Sequence, residues 1–599
     1  MLRLSRLFSI SRKVSFNPLE TNISTTCSVF MFHFIGAIAL IPLPGGQQLI
    51  FTAGPASAHA DAVLPPVVVE VVDSTGSPVA TAAGTIRVQV AEGSGAGQLL
   101  GTLERPLVLG RATFEDLQVP IAGDAYVMTA HWRGTQQVTS KPFDVAPGAP
   151  TQLQFLGVPS GAAHEPLQGI SVLVSDLFGN TVLEPTSVSL TLAENPGITL
   201  LHASGTFNHV LELVDPITPA LLPPLPDQSA ANLSSLALDP HSGLVFATDI
   251  VEGMHVLNPA TGAIAPVAPS GTLPINMKGL VCTPRTDTLM YGVSSQSNIL
   301  YAISSETGVP TPLIPMVPPG DAIEGFNGLT VDPASGQMFG VANIFSVGES
   351  NRALVRLDPS NGLATLVGFM GDKVAGVVAT PDGRLYAWTG QGSIQKKKLY
   401  RVNPSTGAMT LLLNMGNGDT SEAMCYLPAR LGGQISAVSQ QGIATFPTVT
   451  LNAPAQGYRF LASAAGATPT LSEPFSVTPP NLTGVVQVSS TSQSISESVG
   501  TVQVSFKISP VVNHPVVAWV RITGSTSGSN QLFPDHSLPN FVDVPVHFSP
   551  GAATAMLSFQ VNDDTDVEPA ETVIITINRA ALGAVGAAKT HTVTITNND

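Results

Sequence analysis

Five carboxylates fall within nine residues near the end of the chain: Asp563, Asp564, Asp566, Glu568 and Glu571. The next basic residue is Arg579. Like charges packed this closely repel one another unless water or a cation lies between them. Calcium is suited to that task, because it takes six to eight oxygen ligands, several of them carboxylates. The stretch "NDDTDVEPAET" is therefore a candidate cation site.

Other chemistry is thinly represented. The 12 histidines are scattered, and no "GxSxG" elbow leads into a helix, so a Ser/His/Asp triad is not expected. Three cysteines are too few for a disulfide framework: Cys27 lies in the leader, and Cys282 and Cys425 read as buried free thiols. The net charge of −16 argues against a nucleic-acid partner. The one basic run, Lys396–Lys398, lies between two strands and reads as a solvated hairpin tip.

The elements that must position these groups are strands. Short alternating runs rich in Val, Thr and Ser recur along 599 residues, with 55 Gly and 50 Pro and no long helical periodicity. The fold class expected is all-β, in several domains.

Residues 205–430 carry a repeat. Its copies are "LSSLALDPHSGLVFATD", "MKGLVCTPRTDTLMYGV", "FNGLTVDPASGQMFGVA" and "VAGVVATPDGRLYAWTG". The turn prolines Pro240, Pro284, Pro333, Pro381 and Pro428 are spaced 44, 49, 48 and 47 residues apart. A second turn recurs as "LNPATGA", "LDPSNGL" and "VNPSTGA". A fixed period with several short strands per unit signals a β-propeller. The insert starts and ends in mid-repeat, so its ends share one blade, and the count expected is five. The repeat resembles the NHL and YVTN-type bacterial propellers.

A propeller can be an enzyme. Gluconolactonase-like propellers hold a metal in the central channel with acidic and Asn side chains. The equivalent places here are Ser234, Lys278, Asn327, Ala375 and Glu422, a poor divalent site. Three residues earlier, Glu324, Asp372 and Asp419 could ring the channel mouth. Solvated loop acids are the plainer reading.

The flanking chain repeats too. "PGGQQLIFTAGPASAHADAVLPPVVVEVVDSTGSPV" (44–79) parallels "PGAPTQLQFLGVPSGAAHEPLQGISVLVSDLFGNTV" (147–182). The second half of the first copy finds its match beyond the insert, at 443–477. Phe114, Tyr126 and Phe143 are spaced 12 and 17, as are Phe446, Tyr458 and Phe475. Both copies resemble bacterial Ig-like domains. The expected domains are sandwich one at 44–146, and sandwich two split into 147–204 and 431–480 around the propeller at 205–430.

Residues 483–599 form a third segment, from "SISESVGTVQVSFKIS" to "THTVTITNND". It resembles a Calx-beta domain, with "NDDTDVEPAET" as the specific part. The resemblance implies calcium at one end of a sandwich. By motif position the ligands would be Glu497, Asp563, Asp564, Glu568 and Glu571, with Asp599 at the terminus. Two departures weaken the pattern. The family's mid-domain Asp-Tyr stands here as Asn540-Phe541, and its terminal acids are reduced to Asn597, Asn598 and Asp599.

Residues 1–43 read as an export leader or an uncleaved membrane anchor. Basic residues precede the apolar run "CSVFMFHFIGAIALIPL". Together these features predict a secreted or cell-surface protein of the binding or adhesion type. It would have a calcium-binding module, no catalysis, and a protein or glycan partner at the cell surface. The alternative is a lactonase-type hydrolase displayed on an Ig-like stalk.

Overall fold

The computed structural model describes residues 46–599 apart from 92–97, 135, 206–209, 226–231, 284–289, 317–321, 347–348, 417–419, 527, 530–534, 564–566, 568 and 599. The expected leader lies outside the described residues. Among those described, the chain is all-β, with one 3-10 turn at Glu497–Val499. It divides into two compact units. The first runs to Ser57 and includes Leu64–Leu117 and Asp124–Asp144. The second holds the rest.

The first unit contains two small sheets. One orders Gln48–Ala53, Val67–Val72 and Arg111–Phe114; the other orders Glu104–Pro106, Thr85–Val90, Met128–Trp132 and Gln136–Thr139. Alternation fixes which face is buried. In "TIRVQV", Ile86 and Val88 are fully buried and their neighbours Arg87 and Gln89 are exposed. Trp132, Tyr126 and Phe114 fill the interior.

The second unit opens with a sandwich made from two separated stretches of chain. Ser171–Ser175 pairs with Ile443–Thr445, and Ser187–Glu194 pairs with Ala455–Ala464. Gly161–Ala162 pairs with Phe475–Thr478. Segments more than 250 residues apart in sequence therefore share sheets.

The two copies match bond for bond. Asp73 Oδ1 accepts from the amides of Thr75 and Ser77, and Asp176 Oδ1 from those of Phe178 and Asn180. The Val71 amide donates to Gly110 O at 3.0 Å, and the Val174 amide to Gly442 O at 2.8 Å. Gly110 and Gly442 have φ of 78° and 77°, a left-handed conformation that favours glycine. The Tyr126–Phe143 rings are 5.9 Å apart, and the Tyr458–Phe475 rings 5.7 Å.

Between the halves of this sandwich the described residues form five four-stranded antiparallel sheets. Their inner strands are Leu233–Leu238, Met277–Cys282, Ala322–Val331, Val374–Ala379 and Ser421–Pro428. Each touches the next, and the last touches the first, so the strands close a ring. The second repeated turn has a clear local cause. Asn258, Asp358 and Asn403 each accept, through the side chain, the amide two residues on, and a glycine with positive φ follows at 262, 362 and 407.

The fifth sheet corrects the expected boundary. The sequence places residues 198–204 in the sandwich, with the insert starting at 205. Instead Ile198–Ser204 pairs with Ser421–Pro428 on one side and Leu211–Asp215 on the other. The stretch at 210–214 shares the sheet with 421–428 but is not adjacent to it. The insert therefore begins just after Gly197 and ends just before Ala429, whose amide donates to Gly197 O at 2.8 Å. The run "ITLLHAS" is buried throughout, so its periodicity could not assign it to either domain.

Residues 485–596 form the last sandwich. One sheet orders Thr554–Gln560, Thr501–Ser509, Val485–Val488 and Ala584–Val585; the other orders Ser492–Ser496, Thr590–Thr596, Glu571–Ala581, Val516–Gly524 and Asp543–Phe548. Thr501–Ser509 and Thr554–Gln560 alternate strictly, and Val504, Phe506, Leu557 and Phe559 enter one core.

The split predicts that a 147–480 chain with residues 198–428 replaced by a short Gly/Ser linker still unfolds cooperatively. In that chain Phe446→Ala should cost about 3–5 kcal/mol. Thermal melts followed by circular dichroism check both, and a chain without a cooperative transition would refute the split sandwich.

Candidate functional site

The acidic region maps to one end of the last sandwich. A single strand, Thr590–Thr596, gathers much of it. It pairs in parallel with Ser492–Ser496, with Ser496 opposite Thr596, which leaves Glu497 beside Asn597. On its other side Glu571 pairs with Ile595. A second set of bonds brings in the neighbouring loop. Val561 N donates to Gly500 O at 2.7 Å, and Asn562 N to Asp535 O at 2.9 Å.

The result is a pocket lined by Glu497, Asp535, Glu571, Asn562 and Asn597, over Val561, Pro569 and Ile595. Glu497 is buried, at 7% exposure, inside the short 3-10 turn. None of the described residues lining the pocket is basic. Three carboxylates and two side-chain amides offer the hard oxygen donors that calcium takes. Among the described residues, however, no three acidic, His or Cys groups already stand in a closed metal-ligating cluster.

The expected ligands divide. Glu497 and Glu571 reach the pocket. Asp563 is exposed, and its Oδ1 accepts from Asn598 Nδ2 at 3.3 Å, while Asn598 Oδ1 accepts from the Ser498 amide at 3.1 Å. Asn598 therefore ties the acidic loop to the Glu497 turn. Asp564, Glu568 and Asp599 lie outside the described residues.

Asn540, the motif's mid-domain position, is buried. Its Nδ2 donates to Thr526 O at 2.7 Å, and it does not line the pocket. Asp535 lines it instead. The motif gave no hint of Asp535. The signal that could have found it is that Asp535 is the one acid between Glu497 and Asp543.

Next to Asp535, His536 is fully buried. Its Nδ1 accepts the Leu538 amide at 3.2 Å, so Nε2 carries the proton, 3.1 Å from Thr526 Oγ1. Burial pushes its pKa down, more than the nearby Asp535 pulls it up.

The ring's channel holds less promise as a metal site. Glu422 Oε2 accepts from Lys278 Nζ at 3.0 Å, and its Oε1 accepts from Thr420 Oγ1 at 2.9 Å. Asn327 donates to Asn343, and Ser234 Oγ to Met277 O. Of the mouth acids, Glu324 is exposed. Asp372 accepts the amides of Lys373, Ile394 and Gln395. Asp419 lies outside the described residues. Farther along the channel Cys282 and Cys425 are buried free thiols, and burial pushes Cys282 up to about 12.

No family model and no curated protein matches the chain. Solved structures give low-scoring likenesses. An apo-form Calx CBD1 domain is 15% identical, over 20% of this chain and 99% of that one, with a TM-score of 0.18. A structural-genomics protein of unknown function from Bacteroides thetaiotaomicron VPI-5482 is 11% identical, over 71% and 100%, with a TM-score of 0.27. An auxiliary nutrient binding protein from the same organism is 12% identical, over 71% and 97%, with a TM-score of 0.24. Scores this low support no shared function, and the reading below rests on the chain's own residues.

His536 makes the pocket end sensitive to acid. Its folded pKa lies below the unfolded value, so as pH falls below about 6.5 the unfolded chain takes up a proton that the folded chain refuses. Stability is therefore lost as pH falls. In chelator, the denaturation midpoint of this sandwich should drop as pH falls from about 7.5 to about 5, across the acid limb of a histidine titration. His536→Gln should flatten that slope, and an unchanged slope would remove His536 as its cause.

Proposed function

We propose that this chain is an exported, surface-type binding protein whose last sandwich holds calcium and whose five-sheet ring is a five-bladed propeller. It works by binding and spacing, without catalysis, and its partner is a protein or glycan at the cell surface. The observation that carries the calcium reading is the convergence of Glu497, Asp535 and Glu571 on one pocket with two asparagines and, among its described lining residues, no base. Asp564 and Glu568, implied by the motif, would join them. Calcium there would screen the like charges and tie the Glu497 turn, the Asp535 loop and the Glu571 strand together. Asp535 supplies the charge that Asn540 lacks.

The non-catalytic reading is supported by the channel. Glu422, on an inner strand, is already engaged by Lys278 and Thr420 on both oxygens. A hydrolase using a channel metal would first have to break that ion pair.

The test is a calcium titration of the full chain. A ligand that binds only the folded state stabilises it by about 2.7 kcal/mol at a hundredfold excess over Kd. With a Kd on the order of 10⁻⁴ M, as in extracellular modules, calcium at about 10 mM should raise the melting transition of the last sandwich. Magnesium should do less, because it demands a tighter octahedral shell. Asp535→Asn, Glu497→Gln and Glu568→Ala should each shrink the calcium response. No shift with calcium in the parent would sink the reading.

A further inference from the structure

A second group of charges is buried far from the acidic pocket, where the ring meets the last sandwich. Glu212, in Leu211–Asp215 of the fifth sheet, is fully buried. Its carboxylate faces three groups. His202 Nδ1, from the same sheet, is 3.3 Å away, and Lys397 Nζ, from the loop entering Lys398–Val402 of the fourth sheet, is 3.6 Å away. The third is the guanidinium of Arg579, from Glu571–Ala581 of the last sandwich, which forms an ion pair with Glu212. Lys397 is thus not the solvated hairpin tip that its sequence suggests; it is buried.

Arg579 is itself held on its own side. It stacks on the Trp519 indole at 4.2 Å, and its Nε lies 3.8 Å from Asp543 Oδ2. Asp543 in turn accepts from Arg521 Nε at 2.9 Å. An apolar cluster surrounds the charges. Leu221 and Met424 come from the fifth sheet, Trp388 and Met415 from the fourth, and Trp519 and Ala581 from the sandwich. One backbone bond crosses as well, Leu582 N to Leu221 O at 3.0 Å.

The location gives this joint its meaning. The fifth sheet is the one assembled from both ends of the insert, so the ring closes there without a covalent link between its first and last strands. The sandwich packs on the fourth and fifth sheets together. A carboxylate as buried as Glu212 costs several kcal/mol of desolvation unless cations meet it. Here one cation comes from the neighbouring sheet and one from outside the ring. His202 adds none: burial and the adjacent Lys397 and Arg579 hold it neutral, against a weaker pull from Glu422.

We propose that the last sandwich is a clamp across the closing seam of the ring, and that Arg579 is its latch on Glu212. The two parts then act as one rigid body. Strand Glu571–Ala581 runs from the acidic pocket at its first residue to the latch near its last. The proposal does not depend on calcium occupying that pocket.

The test separates the parts covalently and asks whether they stay together. A protease recognition sequence is inserted between Asn481 and Leu482 of the full chain, and the cut protein is run on a sizing column at neutral pH. The sandwich piece should co-elute with the ring. Arg579→Glu, which sets two carboxylates against each other, should release it, with affinity weakened roughly thirtyfold or more. Lys397→Glu, which leaves the sandwich sequence untouched, should release it too, and so guards against misfolding of the first variant. Cut parent pieces that part on the column would overturn the proposal. So would both variants staying joined as tightly as the parent.

Discussion

The hydrogen bond from Ala429 to Gly197 is the point on which the architecture depends. It is where the chain leaves one sandwich to build the ring and where it returns to finish that sandwich. The geometry there leaves no room for a side chain. A Cβ on Gly197 would overlap the Tyr458 hydroxyl, which is needed to bond Ala453 O at 2.8 Å. The exit and entry points are hydrogen-bonded neighbours, so the two ends of the insert meet where it leaves its host. The same pairing continues directly into the fifth sheet, from Ile198 opposite Pro428. The host's closing bond thus sits directly beside the first pair of the ring's fifth sheet.

Charge is handled in three different ways. In the channel, Lys278 and Glu422 neutralise each other while still partly exposed, so their pairing is a modest stabilisation. At the joint, Glu212 is wholly buried, and its cations are supplied by separate parts of the fold. Its stabilising effect exists only when those parts are assembled. At the acidic pocket, three carboxylates face one space, and none of its described lining residues is basic. Like charge gathered around one space is what distinguishes a candidate cation site from the structural ion pairs.

Much of this was legible in the sequence. The repeat period gave the ring's number of sheets, because each turn is made locally by an Asp or Asn that caps its own backbone and a glycine that follows. The split sandwich was legible because Phe446, Tyr458 and Phe475 keep the spacing of Phe114, Tyr126 and Phe143, and core positions on strands are fixed by alternation. Motif position singles out Glu497 and Glu571, and both line the pocket.

The rest was decided by tertiary structure. Residues 198–204 are apolar enough to suit either domain, and only strand pairing assigns them. Asp535 stands apart from the acidic run and enters the pocket through a backbone bond to Asn562 that no local pattern announces. Lys397 looks like one of three surface lysines, yet long-range packing buries it against Glu212. The sequence by itself determined what depends on neighbours along the chain: strand alternation, turns and the repeat. Which charges meet across hundreds of residues depends on packing free energy shared by the whole fold, and only the assembled structure decides it.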